Sequence, residues 1–172
     1  MQSNVARGAG AFRAEPEYSW RQLKMGYYIV PAILKDASGI AVVFRDAFPG
    51  DASHYRVRSW EREARKIMRC HMGWITFVAI EDGEVVGLIA ARHLKTRSVP
   101  TIRIEWLGVH SSQRGKGLGK ALMDQLMDWI YASFPESRVR LTLRARTGVQ
   151  DFYRKLGFRH YGSGWMKMVA KK

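Results

Sequence analysis

A glycine-rich segment constrains this chain more than any other feature. Residues 110–120 read His-Ser-Ser-Gln-Arg-Gly-Lys-Gly-Leu-Gly-Lys; they follow a β-rich run and precede an apolar run with helical spacing. Glycines at alternate positions leave backbone N–H groups uncovered, and the N-terminus of the following helix adds partial positive charge. Arg114, Lys116 and Lys120 add full charges. This glycine segment therefore predicts an anion site whose natural ligand is a pyrophosphate.

Two familiar phosphate-binding motifs do not describe the glycine segment. The Walker motif requires Gly-Lys followed by Ser or Thr, whereas Gly119-Lys120 precedes Ala121. The dinucleotide-binding fingerprint requires an acidic residue about twenty positions further on, where this chain carries Arg138 and Arg140. The remaining alternative is a flexible glycine turn beside a solvated basic face.

The periodicity of apolar residues predicts one folded domain. The length of 172 residues suits a single core. Residues 1–25 lack an apolar period and are predicted to form a loosely ordered extension, whereas residues 26–172 form the domain. The predicted strands cover residues 27–30, 74–80, 85–91, 102–109, 139–143, 158–161 and 165–169. Helical patterns lie between them, and this order is typical of an α/β or α+β domain with a mixed sheet.

Capping residues predict where three of the helices begin and end. Asp36 is the expected N-cap of the first helix. A second helix is expected over residues 53–72, with Gly73 as its left-handed C-terminal cap. Thr147 and Gln150 have the spacing of a capping box for the short helix that precedes residue 158.

The charge balance constrains the partners of the chain. There are 29 Lys and Arg against 15 Asp and Glu, giving a net charge of +14 and a sequence pI near 10.3. Such a protein attracts phosphates, acidic proteins and anionic surfaces. A stripe on the predicted second helix is read either as a solvated face or as a surface that attracts an anionic partner. It consists of Arg58, Arg62, Arg65 and Arg69.

Cysteine, histidine and apolar patterns exclude several classes of protein. The single Cys70 rules out an internal disulfide framework, and the five histidines show no pair at metal-ligand spacing. We therefore expect no metal. No secretory signal pattern opens the sequence and no apolar run is long enough to span a membrane. A cytoplasmic protein that is not bound to membranes is the resulting expectation.

The glycine segment strongly resembles the signature of the GCN5-related N-acetyltransferase (GNAT) superfamily. Arg114-Gly-Lys-Gly-Leu-Gly119 matches its acetyl-CoA motif, and Trp106-Leu-Gly-Val-His110 matches the strand that leads into that motif. Asp151-Phe-Tyr-Arg-Lys-Leu-Gly-Phe158 is similar to the C-terminal helix and strand of the family. The resemblance implies a single GNAT-like α/β (α+β) domain. Its mixed, mostly antiparallel central sheet would have about seven strands, flanked by about four helices.

The same resemblance implies which residues hold acetyl-CoA and which act on it. Leu107 and Val109 would flank the acetyl group, with a strand N–H polarising its carbonyl. Tyr153 matches the general-acid tyrosine that protonates the departing thiolate, with a packing role as the alternative. Glu105, expected on the strand face of Leu107 and Val109, is the candidate base, with an ion pair to an arginine as the alternative. The implied cofactor-binding residues are Leu107, Val109, Gln113, Arg114, Gly115, Lys116, Gly117, Leu118, Gly119 and Lys120.

The activity implied is an acetyl-CoA-dependent N-acetyltransferase in which an amine attacks directly, without a covalent enzyme intermediate. The acceptor candidates include a protein or peptide N-terminus and lysine, and the net charge favours an anionic acceptor or carrier. Two alternatives stay open: acetylation of aminoacyl-tRNA, as in toxin-like members, and a non-catalytic module that binds CoA or nucleic acid. A monomer or a homodimer is expected. Arg146 stands where many relatives carry asparagine, which adds positive charge near the expected groove.

Overall fold

The computed structural model describes residues 26–171 except 49, 51–54, 56, 70–71 and 97. The predicted extension, residues 1–25, lies outside the described residues. The strands are β1 Tyr27–Pro31, β2 Trp74–Glu81, β3 Glu84–Leu94, β4 Thr101–Val109, β5 Val139–Arg144, β6 Arg159–Gly162 and β7 Trp165–Ala170. The α-helices are α1 Ala37–Ala47, α2 Trp60–Ile67, α3 Leu118–Ser133 and α4 Gln150–Lys155. Two short 3-10 helices precede α1 and α3, at Leu34–Asp36 and Ser111–Gln113.

The seven strands of the described part form one sheet in the order β1-β2-β3-β4-β5-β7-β6. Every neighbouring pair is antiparallel except β4 and β5, which are parallel and are joined through α3. This arrangement confirms the predicted single α/β domain with a mostly antiparallel sheet of seven strands. None of the described helices is long and apolar enough to cross a membrane.

Helices cover both faces of the sheet. On one face α3 presents four residues one turn apart, each at most 1% exposed, and α4 packs beside it through Phe152 and Tyr153. The four residues are Leu118, Leu122, Leu126 and Ile130. On the other face α1 and α2 bury a second cluster that contains Phe44 and Trp60. The candidate site lies where these two layers meet the C-terminal end of β4.

Two glycines let helices approach β3 and β4 closely. A Cβ on Gly108 of β4 would lie 3.2 Å from Phe48 Cε2 and 3.3 Å from Ala47 Cβ, at the end of α1. A Cβ on Gly87 of β3 would lie 3.1 Å from Leu118 Cδ2, at the start of α3. Because Gly87 pairs with Val109 and Leu88 with Gly108, both helix ends converge on the same part of the sheet.

The predicted second helix was wrong in its length. It begins at Trp60, after Ser59, whose Oγ accepts a hydrogen bond from the N–H of Arg62 at 3.2 Å. It ends at Ile67, so Gly73 is not its cap; Gly73 has a φ of +79° and leads into β2. Ser53, His54, Cys70 and His71 lie outside the described residues. The expected stripe is therefore not one helical face, because Arg58 precedes the helix and Arg69 follows it.

The other two capping predictions had mixed outcomes. Asp36 occupies the N-cap of α1 as predicted. Its carboxylate, however, turns back and accepts a hydrogen bond from the N–H of Ile33 at 2.8 Å. The capping box at Thr147 was wrong: α4 begins at Gln150 after Val149, and no side chain caps it.

Candidate active site

A cleft opens where β4 and β5 separate. The two strands pair from Thr101 with Arg140 up to Ile104 with Leu143, and their pairing ends there. β4 continues to Val109 and pairs only with β3, whereas β5 ends at Arg144. The cleft between them has a volume of about 620 Å³.

The backbone of β4 turns polar groups into this cleft. The N–H of His110 donates to the carbonyl of Val86, and alternate residues of a strand direct their backbone groups to the same side. Leu107 and Val109 therefore direct their N–H and C=O groups away from β3. In agreement, the carbonyl of Val109 accepts a hydrogen bond from Arg114 Nε at 3.1 Å. The N–H groups of Leu107 and Val109 are available to a ligand in the cleft.

A β-bulge places Glu105 differently from the sequence-based expectation. Ala90 pairs with Trp106 but Ala91 pairs with Ile104, so Glu105 is an extra residue in β4. The bulge interrupts strand alternation, and the predicted shared face with Leu107 and Val109 was wrong. The Glu105 carboxylate instead accepts a hydrogen bond from Arg103 Nε at 2.8 Å, on the opposite face of the sheet. Glu105 still lines the cleft.

The glycine segment forms the other end of the cleft. Gly115 and Gly117 have φ values of +75° and +83°, which side chains rarely adopt, and a Cβ on either would meet nothing within 4 Å. The first hydrogen bond of α3 runs from the N–H of Ala121 to the carbonyl of Gly117. The N–H groups of the first turn of α3 therefore have no helical partner. They face an open surface that suits an anion.

The three basic side chains of this segment are already engaged. Arg114 donates to Asp46, Lys116 Nζ donates to Gln113 Oε1 at 3.1 Å, and Lys120 Nζ donates to Asp124 Oδ2 at 2.6 Å. Carboxylates thus pair with Arg114 and Lys120, whereas Lys116 keeps its charge and the backbone N–H groups of the segment stay open to an anion. Of the ten predicted cofactor-binding residues, all except Lys116 line the cleft.

Asp46, at the end of α1, anchors the glycine segment. Its carboxylate accepts hydrogen bonds from the N–H of Ser111 at 2.6 Å, from Ser111 Oγ at 2.8 Å and from Arg114 Nη2 at 3.1 Å. Burial by itself would raise the pKa of Asp46, but the hydrogen bonds from Ser111 and the charges of His110 and Arg114 outweigh it and lower that pKa. No local pattern in the sequence indicates this contact, which joins residues 65 or more positions apart.

Gln113 holds the segment from the opposite direction. Its side chain is 8% exposed and its amide donates to the Glu81 carboxylate, at the end of β2. The same side chain accepts the hydrogen bond from Lys116. Gln113, which was predicted to bind the cofactor, lines the cleft, and its side-chain contacts also support the loop.

Tyr153 lies on α4 at the edge of the cleft. Its ring packs edge-on against Phe152, with centroids 5.1 Å apart, and against Phe158, with centroids 5.8 Å apart. Burial raises the pKa of the Tyr153 phenol to about 12. The hydroxyl therefore keeps its proton at neutral pH and is able to donate it.

Four further residues that line the cleft were not predicted to be catalytic or cofactor-binding, although the charge of Arg146 was expected near the groove. We call these four residues the acceptor wall: Phe48, Trp106, Arg144 and Arg146. Phe48 and Trp106 belong to an aromatic cluster with Tyr55, Trp60 and Phe44. Trp106 Nε1 donates to the buried Glu63 carboxylate at 3.1 Å, and Lys66 binds the same carboxylate. The density of aromatic residues in 44–60, together with Trp106, was the one available signal for this cluster.

Within the described ranges, no three His, Cys, Asp or Glu side chains are close enough to hold a metal ion.

The family model described as "Acetyltransferase (GNAT) family" matches residues 38–158. N-acetylaspartate synthetase from Homo sapiens is 35% identical over 88 residues, which are 51% of this chain and 28% of that protein. The Xenopus tropicalis enzyme of the same name is 33% identical over 86 residues, 50% of this chain and 31% of that protein. The matched part thus spans less than a third of these relatives.

Solved structures share the fold at low sequence identity. A GNAT family acetyltransferase from Brucella melitensis, in complex with acetyl-CoA, has a TM-score of 0.62 at 20% identity and covers 85% of this chain and 89% of its own. PaiA N-acetyltransferase from Thermoplasma acidophilum, in complex with coenzyme A, has a TM-score of 0.65 at 18% identity. It covers 86% of this chain and 100% of its own. These similarities concern the fold alone.

Proposed function

Because the chain belongs to the acetyltransferase (GNAT) family, we propose that it transfers the acetyl group of acetyl-CoA to the amine of a small acidic acceptor. The observation that carries this proposal is the cleft between β4 and β5. One end of the cleft offers the N–H groups of the glycine segment, and its side offers the free backbone edge of β4. A thioester that carries phosphates would use both the N–H groups of the glycine segment and the backbone edge of β4. A simple anion would use only the N–H groups.

The residues present fit acetyl-CoA. A pyrophosphate requires several N–H donors and room for the approach of its oxygens, which the open surfaces of Gly115 and Gly117 provide. A Cβ added at Gly119 would lie 3.5 Å from Phe152 Cζ. A larger side chain at this position would therefore fill the space between the loop and Phe152. Acetyl-CoA supplies an activated acetyl thioester.

Backbone groups of β4 act on that thioester. We assign the N–H groups of Leu107 and Val109 to hydrogen bonding of the acetyl carbonyl oxygen. A fixed donor directed at an oxygen that gains negative charge lowers the barrier of acyl transfer, and the rigid sheet keeps it in place. This assignment also explains why β4 and β5 separate after Ile104, since continued pairing would occupy these donors.

Two side chains move the protons. We assign Tyr153 to protonation of the thiolate that leaves, because its phenol is protonated at neutral pH and lines the cleft. Glu105 is our candidate for accepting the proton of the amine, through a water molecule. Its ion pair with Arg103 holds the carboxylate in position beside the cleft.

Two observations support an acidic acceptor. The relatives named above are N-acetylaspartate synthetases, so aspartate is the first acceptor to test. The net charge of +14 favours approach of an anion. The same charge supports a second candidate, an amine carried on an anionic macromolecule such as aminoacyl-tRNA or an acidic peptide.

The proposal is tested by an acceptor screen that detects free CoA thiol. The purified chain is incubated with acetyl-CoA and with aspartate, asparagine, a neutral amine, a polyamine, acidic and basic peptides, or aminoacyl-tRNA. Release that depends on aspartate or another small acidic amine supports the proposal. Acetyl-CoA binding without release in any arm of the screen overturns it in favour of a CoA-binding module. Preference for the polyamine contradicts the acidic acceptor.

A further inference from the structure

The acceptor wall contains two arginines without an acidic partner. Among the residues that the structure describes, no carboxylate lies within 4.0 Å of Arg144 or Arg146, whereas Arg45, Arg103, Arg114 and Arg154 are each paired with one. Both side chains line the cleft. Among the described residues that line the cleft, only Glu105 is acidic, and its carboxylate is already paired with Arg103. The acceptor end of the cleft therefore carries uncompensated positive charge.

We infer that Arg144 and Arg146 form the site that binds the carboxylates of the acceptor, and that Tyr55 positions Arg146 for this contact. The ligand of this site is an acidic amino acid with two carboxylates. The inference rests on the proposed acetyltransferase function and adds the residues that select the substrate.

The backbone directs the two arginines to the same side. β5 ends at Arg144, but the N–H of the next residue, Ala145, still donates to the carbonyl of Gly164 at 2.8 Å, so the chain stays extended. Ala145 is buried against the α3 layer, whereas Arg144 and Arg146 are exposed. Alternation along an extended chain therefore directs both guanidinium groups to the face opposite α3. That face carries α1 and α2, whereas Tyr153 packs on the face that carries α3.

Tyr55 holds Arg146 in the cleft. Arg146 Nη1 donates to the Tyr55 hydroxyl at 2.6 Å, and its guanidinium carbon lies 5.4 Å from the centre of the Tyr55 ring. Tyr55 in turn packs edge-on against Phe48, with ring centroids 5.7 Å apart. A guanidinium carries five N–H donors, so this contact leaves donors for a bidentate interaction with a carboxylate. Fixing the side chain beforehand also reduces the entropy that binding would cost.

The position of the two arginines favours a small acceptor over a macromolecule. Arg144 and Arg146 line the same cleft as Phe48 and Trp106, whose rings pack edge-on with centroids 5.1 Å apart. Other basic residues of the same sheet face, such as Arg140 of β5, lie outside the cleft. A polyanion would use those outer residues as well, whereas a dicarboxylic amino acid would contact only Arg144 and Arg146. Arg140 is therefore a matched control, on the same strand and with the same charge.

The first test changes the substrate and needs no variant. The kcat/KM of the wild-type chain is compared for aspartate, asparagine and the dimethyl ester of aspartate. We expect it to fall by about tenfold or more for each carboxylate that is neutralised, since a charge-assisted contact is lost. Equal values for all three compounds overturn the inference and leave acetyl transfer intact. No turnover with any amine overturns the proposed function instead.

The second test changes the arginines. In Arg146→Gln and Arg144→Gln we expect the ratio of kcat/KM for aspartate to that for a neutral amine to fall about tenfold or more, mainly through KM. Arg146→Lys keeps the charge but loses the planar fork, so its ratio should lie between those of wild type and Arg146→Gln. Arg140→Gln should leave the ratio unchanged. A ratio that stays at the wild-type value in both glutamine variants, or that falls equally in Arg140→Gln, overturns the inference.

Tyr55→Phe tests the positioning role. This variant keeps the ring but removes the hydroxyl that fixes Arg146, so KM for aspartate should rise by a few-fold, with kcat and acetyl-CoA affinity little changed. The rise in KM caused by Tyr55→Phe should vanish when the variant is made in the Arg146→Gln background. A rise in KM that is the same in both backgrounds would show that Tyr55 does not act through Arg146.

Discussion

Asp46 and Arg114 join the end of α1 to the glycine segment: Arg114 Nη2 lies 3.1 Å from Asp46 Oδ2 and 3.0 Å from the Asp46 backbone oxygen. The arginine of the acetyl-CoA signature therefore fixes the loop with its side chain. The N–H groups that follow it are left to bind the anion. The contact also connects the helix that forms part of the acceptor side to the segment assigned to the cofactor.

Removing the charge of Asp46 should loosen this segment. In Asp46→Asn the ion pair with Arg114 is lost, and we expect the dissociation constant of acetyl-CoA, measured by calorimetry, to rise about tenfold. The lowered pKa of Asp46 means that its carboxylate stabilises the fold above its ordinary pKa, and that this stability is lost as pH falls through the lowered value. Acid unfolding below about pH 4 should thus be less steep in the variant. Wild-type affinity would show that the anchor does not shape the site, and Glu136→Gln is the control for surface charge.

Gly119→Glu should block the cofactor site without unfolding the protein. The new side chain brings negative charge to the N-terminus of α3, where it repels a pyrophosphate but suits the helix dipole. We expect acetyl-CoA affinity to fall about a hundredfold or more, with the melting temperature of the free protein little changed. Gly162→Glu, at an exposed glycine with nothing within 4 Å of an added Cβ, is the control. A folded Gly119→Glu variant that binds acetyl-CoA normally would refute the assignment of the site.

Tyr153→Phe should slow the chemical step. The variant keeps the ring packing against Phe152 and Phe158 but removes the proton, so kcat should fall by about 10²–10⁴ with acetyl-CoA affinity nearly unchanged. Tyr161→Phe, at an exposed tyrosine of β6, is the control. Wild-type turnover in Tyr153→Phe would assign this residue to packing.

The raised pKa of Tyr153 also predicts a pH profile. Because the pKa is about 12, the phenol stays protonated up to about pH 11, and Tyr153 should cause no decline of kcat below that pH. The unfolded chain ionises its tyrosines near pH 10. Between about pH 10 and about pH 12, the native state still holds the Tyr153 proton that the unfolded chain has lost. The free energy of unfolding therefore falls as pH rises through this range, and the contribution of Tyr153 to stability is lost. Denaturant unfolding of wild type and Tyr153→Phe across this range checks the sign.

Glu105→Gln tests the proposed base. If the carboxylate accepts the proton of the amine, kcat should fall by about 10² or more, and the fall should shrink at high pH, where the free amine is already deprotonated. Arg103→Gln removes the ion pair and keeps the carboxylate, so it should have the smaller effect. Glu84→Gln, at an exposed residue of β3, is the control. Equal losses in the Glu105 and Arg103 variants would mean that the ion pair matters only for structure.

Local patterns predicted the elements of this fold but not all their limits. The strands predicted over residues 74–80 and 85–91 are β2 and β3, because short runs rich in apolar and β-branched residues are typical of strands that are buried on both faces. The second helix was predicted too long, because its apolar periodicity extends beyond the limits set by the Ser59 cap and by the end of the helix at Ile67. Thr147 has the spacing of a capping residue, yet α4 starts without a side-chain cap. Spacing alone does not show which residues a helix end will meet.

The sequence by itself determined the glycine segment, the tyrosine of α4 and the succession of strands along the chain, because each depends on residues that are close together in the chain. Only the tertiary structure decided what surrounds them. The bulge at Glu105 arises from pairing between β3 and β4, the anchor at Asp46 spans α1 and the glycine segment, and Arg146 meets Tyr55 across 91 positions. Contacts at such separations depend on how layers pack, and periodicity within one segment carries no information about its partner in another layer.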